Sequence, residues 1–178
     1  MPQPFYTIGH STRPIGEFVD LLQRVDVQLV IDVRTVPRSK RNPQFDADAL
    51  AQALANCQIG YMHIAALGGL RGKSRDVPPA ANAFWINEGF HNYADYTMTE
   101  PFQQGIATLR ELGREQRSAI MCAEAVWWRC HRRIIADHLL AAGETVFHIL
   151  RMDDIEAATI TPAAQLGENG ALTYPPTG

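Results

Sequence analysis

Ser118–Leu140, SAIMCAEAVWWRCHRRIIADHLL, decides the reading of this chain. Its first residues, Ser118 to Met121, are an apolar run short enough for a buried strand, and from Ile134 onward the apolar positions recur at helical spacing. Between strand and helix the sequence places two thiols, a carboxylate, an imidazole and three guanidiniums in the segment Met121–Arg133. Core packing does not ask for that mixture. In open α/β sheets ligands bind beyond the carboxyl ends of the strands, so the junction is read as a candidate site.

Working outward, strands and helices alternate. Phe5-Tyr6-Thr7-Ile8 reads as a first strand broken at Gly9, and Ile15, Phe18, Val19, Leu21 and Leu22 give the following helix an apolar face. Gln28–Val33 is the strongest strand, followed by a polar loop, Arg34 to Pro43, whose two prolines forbid regular helix. Asp46 is placed to cap a helix that runs to about Cys57, and Ile59–Ala65 reads as a third strand. Leu67-Gly68-Gly69 opens a long insertion, rich in glycine, proline and aromatics through Tyr96, that reads as a lid or binding loop. A helix from Glu100 to near Gly113, the Ser118–Cys122 strand, the helix closed by Gly143 and a strand at Val146–Leu150 complete the series.

The expected architecture is α/β: one domain over residues 1–178, with a mostly parallel sheet of about five strands and helices on both faces. The tail, 152–178, is weakly patterned and carries at most a short strand near Ala171–Tyr174. Right-handed crossovers collect the loops after the strands at one sheet edge, bringing His10, Arg13, Asp32, Arg34, Gly68, Cys122 and Glu124 together.

Composition narrows the function classes. With 178 residues, 46% hydrophobic and 20% charged, the chain is an ordinary globular one, and its net charge of −3 gives no global attraction to nucleic acid or anionic membrane. No apolar run approaches the ~18 residues of a membrane span, and the N-terminus lacks the layout of a signal peptide. A cytoplasmic location without membrane association is expected. Three cysteines, Cys57, Cys122 and Cys130, are too few and too unevenly placed for a disulfide framework.

Several separated motifs carry a family resemblance: Thr7-Ile8-Gly9-His10-Ser11, Asp32-Val33-Arg34 with Pro37-Arg38-Ser39, Leu67-Gly68-Gly69, and Met121-Cys122-Ala123-Glu124 with Cys130-His131-Arg132. With them the chain resembles the bacterial and archaeal family called domain of unknown function 488. Thr161-Pro162 and Leu172-Thr173-Tyr174 extend the likeness into the tail. It departs at Val126-Trp127-Trp128, where members often carry an acidic residue and a proline. The resemblance implies an α/β fold and a shared site; it names no reaction.

Cys122 reads either as a small buried hydrophobe or as a nucleophile, Glu124 and His131 as acid–base or orienting groups, and Arg34 and Arg132 as charge stabilisers. Gly9, Gly68 and Gly69 permit close backbone approach, and His10, Ser11, Arg13, Asp32 and Cys130 complete the candidate substrate-binding set. The Cys122 loop is similar to the thiolate loop of tyrosine phosphatases and rhodaneses, except that six residues, not five, precede Arg129. Asp32, Arg34 and Glu124 read equally as a buried ion network, and His10, Asp32, Cys122, Cys130 and His131 as a zinc or iron set, although no spacing is diagnostic of metal. No cofactor is assigned. The leading expectation is an enzyme acting on a small anionic or phosphate-bearing substrate, with nucleotides and nucleic-acid components among the candidates; the competing one is a non-catalytic nucleic-acid-binding module built on the loop arginines with Trp85, Trp127 and Trp128 as stacking surfaces.

Overall fold

A computed structural model describes residues 2–177. Five parallel strands, β1 (Phe5–Gly9), β2 (Leu29–Asp32), β3 (Gly60–His63), β4 (Ser118–Cys122) and β5 (Val146–Arg151), lie in the order β3-β2-β4-β1-β5. Strand β6 (Asp154–Ala157) extends the sheet by pairing antiparallel with β5.

The period of two along each strand divides the core. Tyr6, Ile8, Val30, Ala119 and Met121 face helices α1 (Ile15–Arg24) and α2 (Ala47–Ala55), packing on Phe18, Leu22, Leu50 and Leu54. Phe5, Leu29, Ile31, Ile120 and Cys122 point to the opposite face, against α3 (Glu88–Tyr96), α4 (Glu100–Glu115) and α5 (Arg132–Ala141). This two-faced α/β arrangement follows from the strand order. Connections from β1 to β2 and β2 to β3 run one way along the sheet, and those into β4 and β5 run back, so right-handed crossovers deposit their helices on opposite faces. The chain therefore leaves β4 on one side and leaves its neighbours β1 and β2 on the other. A crevice opens above Cys122.

Two segments differ from the sequence expectation. The third strand ends at His63 in a 3-10 turn at Ala65–Leu67, and the insertion expected as a loop contains a second one at Pro79–Asn82 and the nine-residue helix α3, capped by the Asn87 side chain, which accepts the Phe90 N–H. Glycine and aromatics masked its helical period; Tyr93 and Ala94 are nonetheless buried. The tail is also more ordered than its pattern suggested. Besides β6 it forms a small hairpin, β7 (Gln165–Leu166) with β8 (Leu172–Thr173), and it is pinned to α5 where Thr161 N–H and Tyr174 O–H donate to the buried Asp137 carboxylate at 2.9 and 2.7 Å. Asp46 occupies the helix-cap position but its carboxylate accepts from the Ser39 N–H at 2.7 Å, bracing the β2 loop instead. Among the described residues no helix is long and apolar enough to cross a membrane.

Candidate functional site

At the end of β4 the backbone is strapped to the β1 loop. The His10 and Ser11 N–H groups donate to the Cys122 and Ala123 carbonyls at 2.9 and 3.0 Å. Gly9 lies flat against the next residues: a Cβ there would sit 1.8 Å from the Glu124 carbonyl oxygen. The chain then makes a 3-10 turn, Trp127–Arg129, and passes through Cys130 in extended conformation before α5 begins at Arg132. Cys130 thus precedes the helix rather than opening it. Its extended backbone swings Sγ back to 2.6 Å from Cys122 Sγ.

Arg132 closes this arrangement from below. It is 0% exposed and points into the Cys122 loop. Its Nη1 donates to Cys122 Sγ at 2.7 Å and to the Glu124 carbonyl, Nη2 to the Ala125 carbonyl at 3.1 Å, and Nε to Thr7 Oγ1 at 3.2 Å. Among the described residues it forms no ion pair with a carboxylate. The side chains against it that can carry a compensating negative charge are the two thiols; the nearby rings of His131 and His148 are lowered in pKa by burial and by its charge. An uncompensated buried guanidinium is costly, so the cluster favours loss of one thiol proton. Burial by itself raises both thiols, but the hydrogen bond from Cys122 and the Arg132 charge outweigh it at Cys130, which falls to about 7. Burial and the neighbouring Cys130 sulfur push Cys122 well above its ordinary value. The two sulfurs therefore titrate as a pair that loses its first proton near neutral pH and keeps its second well above it.

His131 lies on the cleft side of the sulfurs. Its Nε2 is 2.8 Å from the Val33 carbonyl, which assigns the ring hydrogen to Nε2 and leaves Nδ1, 3.5 Å from Cys130 Sγ, as an acceptor. Burial lowers its pKa and keeps the ring neutral. Gly69 lets the loop after β3 cover this ring, since a Cβ there would be 2.6 Å from Nδ1. Gly68 is packed as tightly against Thr35, so the glycines serve loop-to-loop approach.

A second buried cluster supports the cleft wall. Arg34 grips the fully buried Asp32 carboxylate, with Nη2 2.7 Å and Nε 3.0 Å from its two oxygens, and also donates to the Phe45 carbonyl. Tyr61 O–H donates to the same carboxylate at 2.6 Å. His10, lowered in pKa by burial and stacked on Phe45, presents Nε2 to Arg34 Nη1 at 3.3 Å. This is the ion network that the residues allowed, without Glu124. Asp32→Asn is expected to cost about 3–5 kcal/mol in urea unfolding, because it leaves Arg34 buried without its counter-charge; a loss below about 1 kcal/mol would show that the pair is not structural.

Above the sulfurs opens a cleft of about 420 Å³. Arg34, Gly69, Cys122, Glu124, Cys130 and His131 line it, as do Arg38, Phe90 and Arg129. The other sequence candidates do not. His10, Asp32 and Arg132 are buried beneath it, Ser11 takes a left-handed turn (φ 48°), and Arg13 donates to the Gly9 and Leu150 carbonyls on the far side of the Cys122 loop. The likeness to a phosphatase loop also stops here: the arginine reaching the sulfur is Arg132, not Arg129, and the Glu124 and Ala125 carbonyls rather than amides face inward. Among the described residues no three His, Cys, Asp or Glu side chains are grouped to hold a metal ion. Phe90 of α3 and its cap Asn87 also line the cleft; the aromatic density of the insertion is the one sequence signal for Phe90, and none marks Asn87. Thr7, a polar residue inside an apolar strand, was the corresponding signal for the Arg132 network.

Fold and cleft together define an α/β protein with paired cysteines at the switch point of its sheet. Residues 14–139 match the family described as Domain of unknown function DUF488, and the chain belongs to that family. The matched span contains the Asp32–Arg34, Gly68–Gly69 and Cys122–Arg132 segments. No curated protein and no solved structure matches the chain.

Proposed function

We propose that this protein is an enzyme that uses a thiolate of the Cys122–Cys130 pair as nucleophile toward a small anionic substrate bound in the cleft. The observation that carries the reading is Arg132, a buried cation against which the groups able to become anionic are two thiols. Cys130 is the attacking sulfur and Cys122 holds the shared proton beneath it. His131 Nδ1 accepts from the Cys130 S–H while that thiol is still protonated, and Glu124, exposed on the cleft lip, is the acid–base group on the substrate side. Arg38 and Arg129 favour an anion: both are exposed, line the cleft and lack an ion-pair partner among the described residues. The apolar rim of Val36, Leu70 and Phe90 suits a substrate with a hydrophobic part.

Alkylation of the reduced protein by iodoacetamide tests this. At pH 7 a thiol titrating near 7 is about half thiolate, against roughly 1% for an ordinary cysteine, while its lower intrinsic nucleophilicity offsets most of that gain. Cys130 is expected to react roughly fivefold faster per accessible sulfur than Cys57, with an inflection near neutral pH and protection by phosphate or sulfate. Glu124→Gln should speed the reaction by removing a nearby negative charge. A rate that rises only above pH 9 would remove the nucleophile, and a neutral-pH rate indifferent to anions would remove the anionic substrate. A nucleic-acid module is favoured by one observation, the exposed run Arg38, Lys40 and Arg41, of which Arg38 lines the cleft with Arg129; strongly salt-dependent binding of an oligonucleotide without turnover would select it.

A further inference from the structure

We infer that Cys122 and Cys130 form a reversible two-electron couple, a dithiol that a hydroperoxide converts to a disulfide and an external dithiol restores. The inference rests on the thiolate reading of the same cluster and adds a second chemistry to it. Geometry is its basis. The two sulfurs are already in contact at 2.6 Å, so a shift of roughly half an ångström brings them to the ~2.05 Å of a bond. They are brought together by a closed loop whose two ends, β4 and α5, are fixed in the core, so pairing needs no excursion of either element. Cys130 faces the cleft at 5% exposure, and Cys122 lies beneath it at 2%, an order that suits attack by one sulfur and resolution by the other.

The step balances as follows. The Cys130 thiolate attacks the terminal peroxide oxygen; a sulfur–oxygen bond forms, the oxygen–oxygen bond breaks, and the departing alkoxide or hydroxide takes a proton from water in the cleft. Cys122 sulfur then attacks the Cys130 sulfenic acid. The disulfide forms, hydroxide leaves with the Cys122 proton as water, and the peroxide has been reduced by the two electrons the sulfurs lost. Reduction follows ordinary exchange: an external thiolate opens the disulfide to a mixed disulfide, and the second thiol of that reductant displaces it.

Arg132 sets the poise of the couple. In the dithiol state the cluster supplies a thiolate against its guanidinium; in the disulfide state it supplies none, while the Glu124 and Ala125 carbonyls and Thr7 hydroxyl remain its neutral acceptors. The reduced form is therefore the stabilised one, and the disulfide is readily reduced, unlike a disulfide that holds a fold together. Formation of the bond also consumes the nucleophile, so oxidation reversibly silences the cleft.

The full chain, reduced and desalted, is treated with equimolar hydrogen peroxide at neutral pH, digested with trypsin and weighed. Arg129 separates the two cysteines into different peptides, so an internal disulfide appears as a cross-linked pair lacking two hydrogens. Expected are a Cys122–Cys130 cross-link forming roughly tenfold faster than oxidation of Cys57, its reversal by dithiothreitol, and a lower Tm for the oxidised protein than for the reduced one. Cys122→Ser should yield a Cys130 sulfenic acid trapped by dimedone, and Cys130→Ser should yield no cross-link. Peroxide that leaves both thiols titratable, or that modifies Cys57 first, overturns the inference, and the wild-type cross-link decides it even if a variant fails to fold. A neutral-pH thiolate without cross-linking removes the couple and leaves the nucleophile; a cross-link in a protein whose alkylation ignores anions keeps the couple and removes the anionic substrate.

Discussion

Arg132→Met is expected to lower the unfolding free energy by about 3 kcal/mol at pH 7 and to move the first thiol ionisation of the site up into the alkaline range. Methionine fills much of the volume but donates no hydrogen bond. The Glu124 and Ala125 carbonyls and the Thr7 hydroxyl would lose their donor, and an unsatisfied buried acceptor costs about 1–3 kcal/mol. The electrostatic part is smaller than in a broken carboxylate pair, because the thiolate escapes by taking up a proton. Urea midpoints measure the first effect and the pH profile of iodoacetamide alkylation the second. If the variant loses stability while its alkylation still turns over near pH 7, Arg132 is a structural brace and the thiolate has another origin.

The same coupling fixes how wild-type stability depends on pH. One proton of the folded pair leaves near 7, below the ordinary cysteine value, so this ionisation contributes stability that is present above the unfolded value and lost as pH falls through 7. The second proton stays on well above the ordinary value, so the unfolded chain sheds it first and stability declines again at higher pH. A maximum in mildly alkaline solution is expected from the pair in wild type, flattened in Arg132→Met. Cys130→Ser should remove the acid-side slope while leaving that of other groups.

Gly9→Ala is expected to destabilise by about 3 kcal/mol, with loss of the fast-reacting thiol. The added methyl would meet the Glu124 carbonyl oxygen at 1.8 Å, its carbon at 2.5 Å and Ala125 Cα at 2.8 Å. All three are backbone atoms, so no rotamer change makes room, and overpacking of this kind costs about 1–3 kcal/mol or more. The Cys122–Ala125 loop would have to move away from β1, breaking the His10 and Ser11 hydrogen bonds and withdrawing the two carbonyls from Arg132. Gly16→Ala is the matched control. It lies in α1 with nothing within 4 Å of the added Cβ, and alanine there is expected to be neutral or to stabilise by about 0.5–1 kcal/mol. Thermal unfolding of the two variants side by side checks the contrast; equal effects would mean that the close approach at Gly9 is not needed.

The five parallel strands and the helices between them were legible because their residues repeat locally. Val30 and Ile31 alternate across a sheet, Phe18, Leu21 and Leu22 recur on one helical face, and proline and glycine punctuate the joints. That the loops after these strands share one edge also followed from the chain alone, through the handedness of the crossovers. The sequence likewise marked Cys122–Arg132 as the segment in which chemistry-bearing residues concentrate, and Asp32 with Arg34 as a candidate ion pair.

The division of labour within that edge was decided by tertiary contacts. Arg132 reads as a first-turn arginine free to meet an anion, yet Thr7, Cys122 and two carbonyls converge on it from β1, β4 and the loop, and it is buried. No periodicity connects residues 7, 122 and 132, because only the order of strands in the sheet makes them neighbours. Cys130 could equally have faced solvent: its extended backbone between a 3-10 turn and α5 turns it inward onto Cys122, a matter of dihedral angles that residue types do not specify. The sixth strand and helix α3 were hidden for a related reason. Neither is strongly patterned: β6 is a short, half-exposed strand recognisable only by its antiparallel pairing with the preceding β5, and α3 is held by a partner distant in sequence, the Leu67 carbonyl that receives the Tyr93 hydroxyl. Local periodicity could determine the sheet and the edge that carries the candidate site; which charge lies buried beside the cysteines there was fixed only by contacts between elements far apart in the chain.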